Sequence, residues 1–142
     1  MDSFVFFSLF KNATRALALG AVIGTIGFSP ANASTGSLHG DDLRQAISGH
    51  TVLLNTGMGF EMPISYRSNG TMRAQVEVFA AALAGEARPQ DSGRWWLTET
   101  KLCQRWLNWL GRKTYCFDLV QKGSMVYWRS NNGYKGTARI MR

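Results

Sequence analysis

The sequence predicts a mainly β domain: a single small antiparallel meander or barrel of about eight strands, preceded by one short helix and containing one disulfide. Three observations lead to this fold class. Short apolar segments recur along the chain between turns rich in Gly and Asn. A single helical pattern precedes them. The two cysteines stand at a spacing that suits neighbouring strands.

The first 33 residues have the layout of a cleaved export signal. Lys11 and Arg15 precede an apolar run, 16–28, which ends in the small-residue segment 31–33. This run is shorter than the roughly 20 residues that span a bilayer, and no cysteine lies near the cleavage site to carry a lipid. We therefore expect cleavage after Ala33 and a periplasmic or secreted product, with one domain over 34–142 and no stable membrane span.

One helix is predicted after a polar linker, Ser34–Gly40. Asp41 or Asp42 can accept hydrogen bonds from the first-turn amides, and Gly49 can take the left-handed conformation that ends a helix. The apolar positions of this segment share one face, which predicts docking on a core: Leu43, Ala46 and Ile47.

Eight strands follow the helix, each bounded by turn residues. They are predicted at Thr51–Asn55, Phe60–Tyr66, Thr71–Phe79, Gly93–Thr98, Leu102–Trp106, Thr114–Val120, Met125–Arg129 and Gly136–Ile140. Closure into a barrel would remove exposed strand edges. Two stretches fit the strand pattern poorly. Residues 76–85 are rich in Ala and suit either a helix or a strand end, and 86–91 contains Pro89 and predicts a flexible excursion.

The cysteines predict a structural disulfide. Cys103 and Cys116 flank a predicted hairpin loop, 108–113, so they can face each other across adjacent strands. Such a bridge closes a loop of about 14 residues and contributes about 3 kcal/mol by restricting the unfolded chain. Neither a Cys-x-x-Cys spacing nor a nearby histidine accompanies the pair, which argues against redox or metal chemistry.

All five tryptophans lie between Trp95 and Trp128. Alternation along a strand places Trp95 and Trp96 on opposite faces. Two interpretations stay open: the aromatic side chains fill a small core, or some of them form a platform ringed by arginines that stacks on sugar or base rings. The platform hypothesis nominates six ligand-binding residues: Arg94, Trp96, Arg105, Trp109, Arg112 and Arg129.

The charge of the chain is +7. Cleavage would remove Asp2, Lys11 and Arg15 and leave 14 basic and 8 acidic residues, a net charge of +6. The basic residues are scattered, with no run longer than the pair 112–113, so this charge either maintains solubility or attracts anionic partners. We expect an anionic envelope component or an exported protein as partner, and no nucleic acid.

Catalytic motifs are absent from the sequence. His39 and His50 are the only histidines, and the chain contains no His-x-x-x-His, no Asp-x-Asp loop and no Gly-x-Ser-x-Gly elbow. The spacing of the acidic residues does not favour an acid–base pair. We therefore expect a non-enzymatic protein that uses no metal and no cofactor.

Several motifs lie between Leu38 and Trp128: a Leu-His-Gly-Asp-Asp start, Gly93-Arg94-Trp95-Trp96, the two cysteines and Val126-Tyr127-Trp128. In this combination the chain resembles a family of small exported bacterial proteins of unknown function, which implies architecture but no activity. Gly93-Arg94-Trp95 is also similar to the Gly-x-Trp signature of lipocalins. The segment 130–134 is similar to the recognition segment of periplasmic lysozyme inhibitors, although a basic domain would repel basic lysozyme.

The leading hypothesis is an exported, non-enzymatic binding protein that contacts an anionic or ring-bearing envelope component through a Trp/Arg surface. One alternative is a lipocalin-like carrier with a small apolar ligand inside the barrel. Another is an inhibitor or partner of an exported protein, which would use the loop 86–91 or the hairpin 108–113. The sequence assigns no oligomeric state.

Overall fold

A computed structural model describes residues 35–141. The predicted export signal and its cleavage site lie outside the described residues. The described residues belong to one compact unit. Among them, no helix is long and apolar enough to cross a bilayer.

Eight antiparallel strands close into a barrel, and a ninth short strand is added to it. The strands are β1 (Thr35–Ser37), β2 (Thr51–Asn55), β3 (Glu61–Tyr66), β4 (Thr71–Gln75), β5 (Gln90–Leu97), β6 (Leu102–Trp106), β7 (Thr114–Lys122), β8 (Met125–Ser130) and β9 (Lys135–Met141). Strands β2 to β9 pair in chain order, and β9 returns to pair with β2, which closes the sheet. The predicted eight-stranded barrel is therefore confirmed.

The polar linker predicted before the helix is wrong. Residues 35–37 form β1, which pairs with the end of β7, and the Leu38 amide donates a hydrogen bond to the Leu119 carbonyl at 2.9 Å. Helix α1 (Gly40–Ile47) then begins one residue early, so Asp41 lies inside the first turn and does not cap it. The predicted helix end is confirmed, because Gly49 has a φ of 80°.

The predicted strand 71–79 is too long, because β4 ends at Gln75. The Ala-rich stretch that suited both structures forms helix α2 (Val78–Leu83), whose Ala80 and Ala81 are buried. The prediction of a flexible excursion over 86–91 is also wrong at its C-terminal end. Gln90 opposes Gln75 and begins β5, so only residues 84–89 separate the helix from the next strand.

The core occupies the inside of the barrel, where alternate strand residues point. Leu43 and Ile47 of α1 pack into it with 0% and 1% exposure. The Tyr66 hydroxyl donates a hydrogen bond to Gln104 Oε1 at 2.7 Å inside the barrel, and the Tyr66 ring meets the edge of Trp95. Burial raises the pKa of Tyr66, so its hydroxyl stays protonated as a donor.

Gly93 explains the Gly-x-Trp motif in physical terms. A Cβ at this position would lie 2.4 Å from the Arg105 carbonyl oxygen and 2.6 Å from Met72 Cε. Strands β4, β5 and β6 therefore approach each other more closely than any side chain at position 93 allows. Two residues later, Trp95 points to the same inner face and is buried, with its indole N–H bonded to the Arg67 carbonyl at 2.8 Å.

The barrel has two different ends. Helix α1 closes one of them, where the Gly40 amide bonds to the Glu99 carbonyl and the Gly49 amide bonds to the Tyr66 carbonyl. We call this the α1 end. The connections 56–60, 76–89, 107–113 and 131–134 meet at the opposite end, because the strands are antiparallel and the sheet is closed. We call this the loop end.

Candidate functional site

Three of the predicted ligand-binding residues share one patch on the outside of the barrel, which we call the Arg/Trp wall: Arg94, Trp96 and Arg105. Strand β5 alternates as the sequence predicts, so Trp95 is 6% exposed inside the barrel and Trp96 is 41% exposed outside it. Arg94 lies two residues before Trp96 on the same face, and Arg105 stands directly opposite Arg94 on β6.

Among the residues that the structure describes, the two arginines of the wall face each other without an acidic partner. Both are exposed. Among residues 35–141, the ion pairs are Lys101–Asp118 and Arg139–Glu61, and neither wall arginine takes part in one. Like charges directly opposite each other in a sheet are destabilising. An anion bound between the guanidinium groups would relieve that repulsion and accept charge-assisted hydrogen bonds.

The disulfide lies beside the wall tryptophan. Trp96 opposes Cys103, and Cys103 opposes Cys116 on β7, with a Cα–Cα distance of 4.0 Å across the bridge. The predicted disulfide is therefore confirmed. Because the bridge joins β6 to β7 next to an exposed indole, the ring of Trp96 stands on a covalently braced part of the sheet.

Arg129 lies on another part of the outer surface of the barrel and not on the Arg/Trp wall. It lines a groove of about 600 Å³ over β7, β8 and β9 together with Asp118, Tyr127 and Lys135. Asp118 opposes Arg129 but is engaged by Lys101, whose Nζ lies 2.6 Å from both carboxylate oxygens. Among the described residues, Arg129 and Lys135 form no ion pair, which adds to the basic character of this side of the barrel.

The remaining two predicted residues lie at the loop end and not on the wall. Trp109 is 5% exposed, its ring lies 5.1 Å from that of Trp106, and its indole N–H bonds to the Arg88 carbonyl at 3.0 Å. The structure therefore places Trp109 in the core. Arg112 is exposed in the same connection, with a φ of 59°. Core packing accounts for Trp95, Trp106 and Trp109, and the platform retains Trp96.

No protein family, curated protein or solved structure matches this chain. The resemblance to small exported bacterial proteins, and the weaker similarities to lipocalins and lysozyme inhibitors, therefore stay predictions. Among residues 35–141, no group of three His, Cys, Asp or Glu side chains is arranged to hold a metal ion.

The sequence did not point to Asp91, which is a buried carboxylate, 6% exposed, at the start of β5. Its oxygens accept hydrogen bonds from the backbone amides of Asn108 and Trp109, both at 2.8 Å, and from Asn108 Nδ2 at 2.9 Å. Burial raises the pKa of Asp91, but these hydrogen bonds lower it further, so the net pKa lies below the ordinary value. The carboxylate stays charged and holds the hairpin.

A second carboxylate joins the same two connections. Glu86 Oε1 accepts a hydrogen bond from the Leu110 amide at 2.9 Å. Leu110, Gly111 and Arg112 all have positive φ values, a conformation that costs a non-glycine residue about 1 kcal/mol or more. The loop 86–91 and the hairpin 108–113 therefore form one braced surface. Sequence patterns do not reveal this connection, because the hydrogen bonds between the two segments join residues at least 17 positions apart.

Proposed function

We propose that the protein is an exported, non-enzymatic binding protein that contacts an anionic or ring-bearing component of the cell envelope through the Arg/Trp wall. One observation carries the proposal. Arg94 and Arg105 stand directly opposite each other without an acidic partner among the described residues, beside the exposed ring of Trp96. Two charged side chains and one exposed ring thus lie side by side on the same face. Such a surface suits a ligand that combines an anionic group with a ring.

The chemistry of the wall favours an acidic sugar or a phosphorylated ring. Two guanidinium groups can donate paired hydrogen bonds to one carboxylate or phosphate. An exposed indole can stack on the face of a ring, which is worth about 1–3 kcal/mol for a nucleobase. The ligand would also cancel the repulsion between the two arginines, so that binding and sheet stability would reinforce each other.

Export is supported by three features. The N-terminal segment has the layout of a signal peptide. The disulfide between Cys103 and Cys116 suits an oxidising compartment. The net charge of +6 expected after cleavage, 14 basic against 8 acidic residues, suits an anionic component of the cell envelope as partner.

The carrier hypothesis receives less support. Tyr66, Trp95 and Trp106 are buried within the barrel, and the α1 side chains Leu43 and Ile47 fill it from one end. An apolar ligand of useful size would have to displace these side chains. A carrier should still yield a bound lipid when the native protein is extracted with organic solvent, which gives this hypothesis its own test.

Titration with acidic and neutral sugars tests the wall. Oligogalacturonate, an acidic pyranose chain, is titrated by calorimetry against the wild type, R94Q/R105Q and R44Q/K122Q, with a neutral galacto-oligosaccharide as the uncharged probe. We expect R94Q/R105Q to weaken acidic-sugar binding at least tenfold, since each charged hydrogen bond contributes about 1.5–3 kcal/mol. The matched variant removes two exposed charges at the α1 end and should bind within about twofold of the wild type.

Equal weakening by both double variants would mean that only net charge matters, and the wall would not be the site. The same conclusion would follow if the wild type failed to bind the acidic sugar and inorganic phosphate alike. Trp96→Ala adds a separate measurement. It should weaken binding of the sugar but leave phosphate binding unchanged, because phosphate has no ring to stack on the indole.

A further inference from the structure

Exposed apolar side chains concentrate at the loop end. Seven of the ten large hydrophobic residues that are exposed within 35–141 lie on its four connections. Scattered exposed apolar residues are common on protein surfaces, but clustering at one end of a barrel is not. The other three belong to strands: Trp96, Tyr127 and Met141.

Helix α2 contributes the most exposed part of this cluster. Phe79 is 74% exposed and Val78 is 71% exposed, although the same helix buries Ala80 and Ala81. Leu83 at its end is 57% exposed. The helix therefore turns its small residues inward and its large apolar residues outward, which is the reverse of the arrangement expected for a helix whose only task is to cover a core.

The hairpin beside α2 adds two more apolar side chains. Leu107 is 60% exposed and Leu110 is 47% exposed. Leu110 has a positive φ, and its amide is held by Glu86, which follows α2. Met58 and Tyr134 occupy the other two connections, with exposures of 46% and 70%. The chain thus holds Leu110 in an unfavourable conformation that leaves much of its side chain in solvent.

Basic residues accompany the apolar tips. Arg88, Arg112 and Lys113 are on the same connections and are exposed, and Lys135 begins β9 beside them. Of the two acidic residues on these connections, Glu86 is engaged by the Leu110 amide. Four separate connections project apolar side chains, and three of them carry or adjoin cations, which matches a bilayer with anionic headgroups. The apolar groups can enter the interfacial region while the cations meet the headgroups.

We infer that the loop end is a membrane-docking surface, which inserts its apolar tips into the interfacial layer of a bilayer that contains anionic lipids. Docking at this end leaves the Arg/Trp wall exposed on the side of the barrel, so this site is separate from the one in the proposed function. The hydrogen bonds of Asp91 and Glu86 pre-organise the hairpin for insertion, because they hold its backbone before any lipid is present.

Vesicle flotation tests this inference on the purified, oxidised protein. The vesicles contain either phosphatidylcholine alone or phosphatidylcholine with about 30% phosphatidylglycerol, because a negative surface potential attracts basic residues. We expect flotation with the anionic vesicles only, and at least a tenfold loss of affinity in F79S/L110S. The matched variant Y127S/M141S removes two exposed apolar side chains outside the loop end and should float like the wild type. R88Q/R112Q should float less and with a weaker dependence on salt.

Three outcomes would overturn the inference: a wild type that does not float with anionic vesicles, an F79S/L110S variant that floats as well as the wild type, or concentration-dependent dimerisation that only F79S/L110S abolishes in the absence of lipid binding. Should F79S/L110S fail to fold, V78S/L83S replaces it. If R94Q/R105Q abolished flotation and F79S/L110S did not, the wall would be the lipid site. The proposed function would then stand and the loop-end inference would fall.

Discussion

The two ends of the barrel use short helices for opposite purposes. At the α1 end, Leu43 and Ile47 are almost completely buried, so the apolar face of α1 packs entirely into the core. At the loop end, α2 buries two alanines and leaves Phe79 and Leu83 in solvent. Both helices are short and contain apolar residues. The more apolar helix, α2, is the one that leaves its large side chains in solvent, so apolar content alone does not tell which helix completes the core.

The largest expected effect comes from shortening a buried leucine of α1. Leu43→Ala should lower the free energy of unfolding by about 2–5 kcal/mol, because it leaves a cavity where a fully buried side chain packs. Leu83→Ala makes the same chemical change in α2 and should cost no more than about 0.5 kcal/mol. Urea denaturation measures both. Equal costs would mean that the two helices do not differ as described.

A smaller effect is expected at the brace of the loop end. Asp91→Asn removes the charge that three hydrogen bonds from Asn108 and Trp109 stabilise, and should cost about 1–3 kcal/mol at neutral pH. Because the folded pKa of Asp91 is depressed, its contribution is complete above its ordinary pKa of 3.8 and is lost as the pH falls through the lower, folded value. The gap in stability between wild type and variant should therefore shrink in that acid window.

Asp41→Asn is the control for this measurement at the α1 end. Asp41 is exposed in the first turn of α1, where it interacts with the helix dipole and caps nothing. The change should cost less than about 1 kcal/mol. A cost as large as that of Asp91→Asn would show that any lost carboxylate destabilises the barrel, and that the brace has no special role.

The smallest effect distinguishes two tryptophans by their hydrogen bonds. Trp109 donates to the Arg88 carbonyl, whereas the buried N–H of Trp128 has no acceptor among the described residues. Trp109→Phe should therefore cost about 1 kcal/mol more than Trp128→Phe, since only the first change leaves a carbonyl at the loop end without its donor. Thermal unfolding of the two variants measures the difference. A larger cost for Trp128→Phe would contradict it.

Much of the barrel could be predicted from local pattern. The strands, the opposite faces of Trp95 and Trp96, and the pairing of Cys103 with Cys116 follow from alternation, turn residues and spacing, which act over a few neighbouring residues. Strand β1 could not be predicted in this way. It has three residues and exists because it pairs with β7, about 85 positions along the chain.

The candidate site could be predicted only in part, because local pattern places residues on a strand face but does not give the register between strands. The sequence placed Arg94 and Trp96 on one strand face, but only the register of β5 on β6 shows that Arg105 lies directly opposite Arg94. Trp109 was assigned to the platform because it stands in a hairpin among basic residues. Its burial depends on Trp106 and Arg88, which the fold brings to it.

By itself, the sequence determined an antiparallel meander or barrel of about eight strands with one disulfide, because periodicity and turn chemistry are local properties. The tertiary structure decided which of the two helices is buried, which backbone amides Asp91 binds, and that Arg94 and Arg105 lie opposite each other on the wall. The physical reason is that burial and charge pairing depend on which distant segments meet. Closure of the sheet covers one end with α1 and gathers four connections at the other.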